Sequence, residues 1–271
     1  MLRTRIITAI VLLIAFLADL FLANFQIFAL VLGAVVAAAA WEWSRLCKAH
    51  GETLQTSFAA VVGVLTLVVL YIPYNEVLMR WILLMGFLYW LAVPVGFYMS
   101  PRLAPFDNMQ KSLLGLGVFV MLVAAVAIQY LRSYAPQGSS YLLLYALCIV
   151  WVMDIGAYFS GKRFGRNKLA PQISPGKTWE GVYGGLALTF VFMLIVLLNA
   201  QFAEGNAMKL VLATSLAAIV SVIGDLAESR IKRAADMKDS SQILPGHGGV
   251  LDRIDGVLSA LPVFAFAWVW L

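Results

Sequence analysis

Asp225 and Glu228 stand three residues apart, and so do Asp252 and Asp255. On a helix that spacing puts each pair on one face. The first pair closes one apolar segment and the second opens the next. Between them come Lys232, Arg233, Lys238 and Asp239, then Leu244-Pro245-Gly246-His247-Gly248-Gly249. Two helices meeting at these ends would bring three or four carboxylates together, and their mutual repulsion calls for a cation. Oxygen ligands suit Mg²⁺ better than zinc, and Mg²⁺ is usually held by one or two carboxylates plus substrate phosphates. The lysines and arginines suit phosphate, and glycines let backbone amides approach a ligand closely. Plainer roles exist for single members. Asp255 alone would equally serve as an acid at a helix start, and His247 would equally satisfy loop carbonyls. From Asp225 to Asp255 there are six acidic and five basic residues in 31 positions, against 33 charged residues in all 271.

A second charged stretch runs from Asp154 to Glu180. Asp154 falls within an apolar segment, where an ionisable residue is costly and marks function or a paired charge. Lys162, Arg163, Arg166 and Lys168 follow, the composition of a basic flank touching anionic lipid heads. Then comes Ser174-Pro175-Gly176-Lys177-Thr178, just before another apolar run. A glycine turn, a lysine and a hydroxyl at a helix N-terminus suit a phosphate group. The stretch is not a P-loop, because the position five before the Gly176-Lys177 pair is Pro171.

The elements that must position these residues are membrane helices. Hydrophobic residues make up 62% of the chain, charged residues 12%, and the mean hydropathy is +0.90. A soluble domain has about 45–50% apolar and about 25% charged residues. The apolar runs are too long and too unbroken for barrel strands. An all-α integral membrane protein is expected, a polytopic helical bundle of about nine transmembrane helices. The spans fall near 5–22, 25–44, 56–74, 77–99, 112–131, 141–160, 179–199, 208–225 and 251–271. Asn24 and Gln26 alone mark the first break, so a tight hairpin is expected there, and Pro262 lies in the last span. The start, MLRTR before an apolar run, is read as a retained first span and not as a cleaved signal.

With the N-terminus inside, sixteen of the nineteen Lys and Arg residues, Arg102 among them, fall at cytoplasmic loops and helix edges. Only Arg80, Arg132 and Lys209 do not. That asymmetry predicts an N-in, C-out arrangement with both charged stretches at the cytoplasmic face, and it explains the net charge of +5 without nucleic acid. Residues 1–140 are expected to be scaffold, with dimer and lipid contacts. Residues 141–271 are expected to be catalytic, with loops 161–178 and 226–250.

Other chemistries lack their residues. Cys47 and Cys148 suit packing, and His50 has no partner pattern. Neither a Ser/His/Asp order nor an HExxH motif is present. A transporter would spread its charges near the bilayer midplane and often shows internal repeats; here the charges gather at one face. The inventory matches phosphoryl or nucleotidyl transfer, in which positioning and charge neutralisation supply most of the catalysis.

Ser229-x-Ile231-Lys232-Arg233, Lys238-Asp239 and Leu244-Pro245-x-His247-Gly248-Gly249-Val250-x-Asp252-Arg253-Ile254-Asp255 together resemble the signature of the phosphatidate cytidylyltransferases, or CDP-diacylglycerol synthases. Ser174-Pro175-x-Lys177-Thr178-x-Glu180-Gly181 resembles a segment of the same family. The likeness is close over the C-terminal 120 residues or so and generic before them. It implies that CTP and phosphatidic acid give CDP-diacylglycerol and pyrophosphate at the bilayer. It implies that Asp225, Asp252 and Asp255 bind Mg²⁺, with a second cation such as K⁺ nearby, and that the protein is a homodimer. Lys177 and Lys232 would join them in catalysis. Asp154, Ser174, Thr178, Arg233, Lys238, His247, Gly248, Gly249 and Arg253 would contact CTP or the lipid phosphate. The expected location is the plasma membrane, the inner membrane of a bacterium, with the site facing the cytoplasm. A CDP-alcohol phosphotransferase would need a DGxxAR-type run, whereas Asp255-Gly256 precedes Val257-Leu258-Ser259. A dolichol- or phytol-kinase-like CTP enzyme is the nearer rival.

Overall fold

Backbone amides and carbonyls have no water to bond in hydrocarbon, so an open chain must satisfy them within helices. A computed structural model of the protein describes residues 2–49, 51–72, 75–99, 110–134, 140–198 and 206–270. Arg102 and His50 lie outside these described residues. The described residues form nine α-helices: α1 (Leu2–Leu22), α2 (Phe25–Leu46), α3 (Glu52–Tyr71), α4 (Glu76–Met99), α5 (Gln110–Gln129), α6 (Ser140–Phe164), α7 (Trp179–Leu197), α8 (Ala207–Ala234) and α9 (Leu251–Trp270). Eight of them, α2 to α9, are long and apolar enough to cross a membrane; α1 adds a shorter apolar stretch, Ile7–Leu22. The all-α polytopic expectation is borne out.

Most helix ends fall within about four residues of the expected spans, and two larger differences bear on the site. α8 runs to Ala234, nine residues past the expected end at 225. A hydropathy ruler stops at the first charges, but Leu226-Ala227-Glu228 and Arg230 to Ala234 are mostly good helix formers, so the helix continues. Lys232 and Arg233, expected in the loop, therefore stand on the same helix as Asp225 and Glu228. Residues expected to be loop and glycine turn form a β-hairpin, β1 (Lys168–Ala170) with β2 (Ser174–Thr178), antiparallel, pairing Lys168 with Thr178 and Ala170 with Ser174. α1 and α2 are separated by Ala23 and Asn24 alone, as a tight hairpin requires; the Asn24 side chain caps α2 by accepting from the Ile27 amide at 2.9 Å.

The chain forms two compact units, each discontinuous in sequence. One comprises Met1–Tyr74, Leu103–Ala125 and Ile231–Ile254, the other Asn75–Arg102, Val126–Arg230 and Asp255–Leu271. In the first, α2 and α3 cross at small residues: a Cβ at Gly63 would lie 3.0 Å from that of Ala37. Trp43 is buried there, and its Nε1 donates to the Leu113 carbonyl at 2.8 Å.

In the second unit, α6 and α7 run antiparallel along a glycine seam. A Cβ at Gly156 would lie 2.9 Å from both the Gly184 carbonyl oxygen and the Gly185 Cα, and one at Gly161 would lie 3.6 Å from the Gly181 Cα. Glycines permit this approach because no side chain stands between the backbones. α8 and α9 meet similarly, at Gly224 against Ser259; the Ser259 hydroxyl lies 3.0 Å from the Val220 carbonyl and 2.9 Å from that of Gly256.

Adding a methyl at Gly156 pushes on backbone, which cannot swing aside. Gly156→Ala is expected to lower stability by about 1–3 kcal/mol, whereas Gly115→Ala, which faces open space, is expected to be neutral or slightly stabilising. Thermal unfolding of the two variants in detergent checks this.

Candidate active site

In the second unit the Asp154–Glu180 stretch lines a cavity of about 500 Å³, within the usual range of small-molecule pockets. Asp154 and Lys162 of α6, Ser174, Lys177 and Thr178 of β2, and Asp225 of α8 all line it. The Lys177 ammonium is ion-paired with the Asp225 carboxylate, both partly exposed. Sequence reading had placed Lys177 and Asp225 in separate stretches; the structure brings them together.

Local folding explains how Lys177 is held. Thr178 is the N-cap of α7, and its hydroxyl accepts from the Gly181 amide at 3.1 Å. That hydroxyl caps the helix as an acceptor and keeps its own proton to donate. Lys177 sits one residue earlier, on extended backbone, and Gly176 does not adopt positive φ. Glu180, in the first turn of α7, reaches back to the start of the hairpin. It accepts from the Arg166 amide at 3.0 Å, the Asn167 amide at 3.1 Å and the Asn167 side chain at 2.7 Å.

The Asp225–Asp255 stretch is divided. Asp225 belongs to the second unit, where Ser229 Oγ lies 3.3 Å from its carboxylate. Asp255 belongs there too and accepts from the Gly256 amide at 2.6 Å. Lys232, Ser240, Gly249 and Asp252 belong to the first unit. There Asp252 is densely satisfied: Lys232 Nζ donates at 2.7 Å, the Gly249 amide at 2.8 Å and the Ser240 amide at 3.0 Å, with Ser240 Oγ also at 3.0 Å. Gly248 has φ +81°, in the left-handed region that favours glycine. The Gly249 amide is committed to Asp252. Arg253 Nε donates to the His247 carbonyl at 2.9 Å, so that pair fixes the loop. Lys238 and Arg233 are exposed; Arg233 also donates to the Met237 carbonyl at 3.4 Å.

Sequence reading missed Glu42. It is fully buried and accepts from the hydroxyls of Ser240 and Ser241 and the amides of Val250 and Leu251. The signal was present: it is the sole acid in α2, an otherwise apolar helix.

Among the described residues, no group of three or more His, Cys, Asp or Glu side chains stands ready to hold a metal. The donor chemistry still separates the candidates. Asp225 is a partly exposed carboxylate on a cavity wall with a lysine as counter-ion, and a hard divalent cation could take the lysine's place. Asp252 has both oxygens engaged by protein donors, so an ion there would share it with Lys232, Ser240 and Gly249. Cys47 is buried, and burial pushes its thiol up to about 12, so it stays protonated and unreactive.

The described residues thus form a polytopic set of apolar helices with a charged cavity in which a lysine and a carboxylate are paired. Comparison with known proteins narrows the class. The cytidylyltransferase family pattern matches residues 3–271. A phosphatidate cytidylyltransferase of Pseudomonas aeruginosa is 42% identical over 270 residues, covering 100% of this chain and 97% of that protein. One from Haemophilus influenzae is 36% identical over 282 residues, covering 98% of each. One from Brucella suis is 38% identical over 268 residues, covering 96% of this chain and 90% of that protein. The chain belongs to the cytidylyltransferase family, and it is a nucleotidyltransferase.

The Glu180 contacts make a local prediction. In Glu180→Ala the amides of Arg166 and Asn167 lose their acceptor and are expected to exchange hydrogen faster, while the Gly181 amide, capped by Thr178, keeps its protection. Hydrogen exchange resolved by residue or short peptide reads both.

Proposed function

We propose that the protein is a CTP:phosphatidate cytidylyltransferase that makes CDP-diacylglycerol and pyrophosphate at the cytoplasmic face of a bacterial inner membrane. The Lys177–Asp225 pair in its cavity carries the reading. An ammonium already drawn into a cavity by a carboxylate is poised for exchange onto a phosphate. The named relatives and the match along the whole chain support the substrate pair. The placing of Lys and Arg along the sequence supports the cytoplasmic face.

In the reaction a phosphate oxygen of phosphatidate attacks the α-phosphorus of CTP in line. The new P–O bond forms as the bond to the β-phosphate breaks, and pyrophosphate leaves. A phosphate monoester is already anionic at neutral pH, so no side chain need act as general base. Lys177 and Lys232 neutralise charge on the transferring phosphates, with Arg233, Lys238 and Arg253 as further cations. Ser174 and Asp154 shape the cavity. The loop amides near Gly248 and His247 lie close to the substrate phosphates. Asp225, Asp252 and Asp255 are the proposed ligands of Mg²⁺, with K⁺ as a second cation. When bound, Mg²⁺ would neutralise the phosphates and raise the electrophilicity of the α-phosphorus. Residues 1–140 are proposed as scaffold and dimer surface, and the working form as a homodimer.

Purified protein with labelled CTP, phosphatidate and Mg²⁺ is expected to yield labelled CDP-lipid and pyrophosphate; no lipid product overturns the reading. Asp252→Asn and Asp255→Asn should each lower turnover about 100-fold or more without unfolding the protein. Removing divalent cations with EDTA should stop turnover, and added Mg²⁺ should restore it.

A further inference from the structure

Glu42 lies in the first unit, on α2, and is 0% exposed. A carboxylate inside an apolar bundle costs several kcal/mol unless it is fully paired. Here each oxygen takes two donors. Oε1 accepts from Ser241 Oγ at 2.5 Å and the Val250 amide at 2.9 Å; Oε2 accepts from the Leu251 amide at 2.6 Å, with Ser240 Oγ at 3.0 Å. The amides of Val250 and Leu251 stand at the start of α9, among those a helix leaves unsatisfied. Glu42 therefore caps α9 from a different helix.

The same network reaches the proposed chemistry. Ser240 Oγ lies 3.0 Å from Glu42 Oε2 and 3.0 Å from Asp252 Oδ2. One hydroxyl carries one proton, so it donates to one carboxylate at a time, while the Ser240 amide stays on Asp252. Asp252 in turn holds Lys232. Space around the joint is closed: a Cβ at Gly249 would lie 2.0 Å from Ser240 Oγ and 2.6 Å from Glu42 Oε1.

We propose that Glu42 is a positioning residue for the nucleotidyl transfer, fixing the Ser240–Leu251 segment so that Asp252 and Lys232 keep the geometry the reaction needs. This rests on the assignment of Asp252 and Lys232 to the reacting site. Glu42 acts through Ser240 and the first turn of α9.

Glu42→Gln keeps the shape but replaces one acceptor oxygen with an NH₂, so either Val250 or Leu251 faces a donor. The folded variant is expected to lose roughly 10-fold or more in kcat, with KM for CTP changed by less than about 3-fold. Ser240→Ala and Ser241→Ala each remove one hydroxyl beside Glu42, but only Ser240 links to Asp252. Ser240→Ala is therefore expected to lose much more kcat than Ser241→Ala. The double variant Glu42→Gln/Ser240→Ala should be little worse than the poorer single, since both break one network. The proposal is overturned by wild-type kcat in Glu42→Gln or Ser240→Ala. It is also overturned by equal kcat losses in the two serine variants that track their melting temperatures. If Glu42→Gln does not fold, the serine comparison decides alone. Asp252→Asn in the same assay separates the two levels. Wild-type turnover there ends the site assignment itself, whereas an inactive Asp252→Asn beside an unimpaired Glu42→Gln ends this inference only.

Discussion

A carboxylate drawn out of water needs donors, and Glu42 and Asp252 both find most of theirs in the segment that leads into α9. Glu42 collects two hydroxyls and two helix-start amides. Asp252 collects an ammonium, two amides and a share of a hydroxyl. Glu180 gathers the amides that open the β-hairpin. The polar segments take their shape from these acids. The loop from Ser240 to Val250 is wrapped around two carboxylates, and a side chain at Gly248 or Gly249 would collide with them.

The cavity in the second unit depends on a different economy of space. α6 and α7 approach through Gly156, Gly161, Gly181 and Gly185, so their backbones nearly touch. A close seam on one side leaves the lining residues Asp154, Tyr158 and Val182 around an opening instead of in a packed interior. The hairpin then carries Lys177 to Asp225. The close packing of α6 and α7 follows one glycine pattern, Gly-x₄-Gly in α6 set against Gly-x₂-Gly-Gly in α7.

Much of this was legible in the sequence. Long apolar runs dictate helices, and the helices are there. Asp225 and Lys177 stood out because charge is rare in this chain. What stayed hidden was partnership. Nothing in the spacing of Lys177 and Asp225, 48 residues apart, says that they pair. The β-hairpin was missed because Ser174-Pro175-Gly176-Lys177-Thr178 carries turn residues, and its strand geometry is imposed from Glu180 and the Asn167–Trp179 backbone bond, 3.0 Å long. α8 outran its apolar stretch because propensity, not hydropathy, decides where a helix ends once it has left hydrocarbon. Glu42 was overlooked because a lone acid in a span has no motif; only its four donors reveal what it does.

Those donors also impose an order on synthesis. The groups that satisfy Glu42 lie 198 to 209 residues downstream of it. At a ribosomal pace of about 5–20 residues per second, that is a wait of roughly 10–40 s. Through that interval α2 exists with a carboxylate whose final partners have not yet been made, so water, lipid headgroups or a proton must stand in for them. The second helix can therefore reach its mature, sealed state only once the start of the ninth has emerged. The chain is completed, in this respect, from its end backwards.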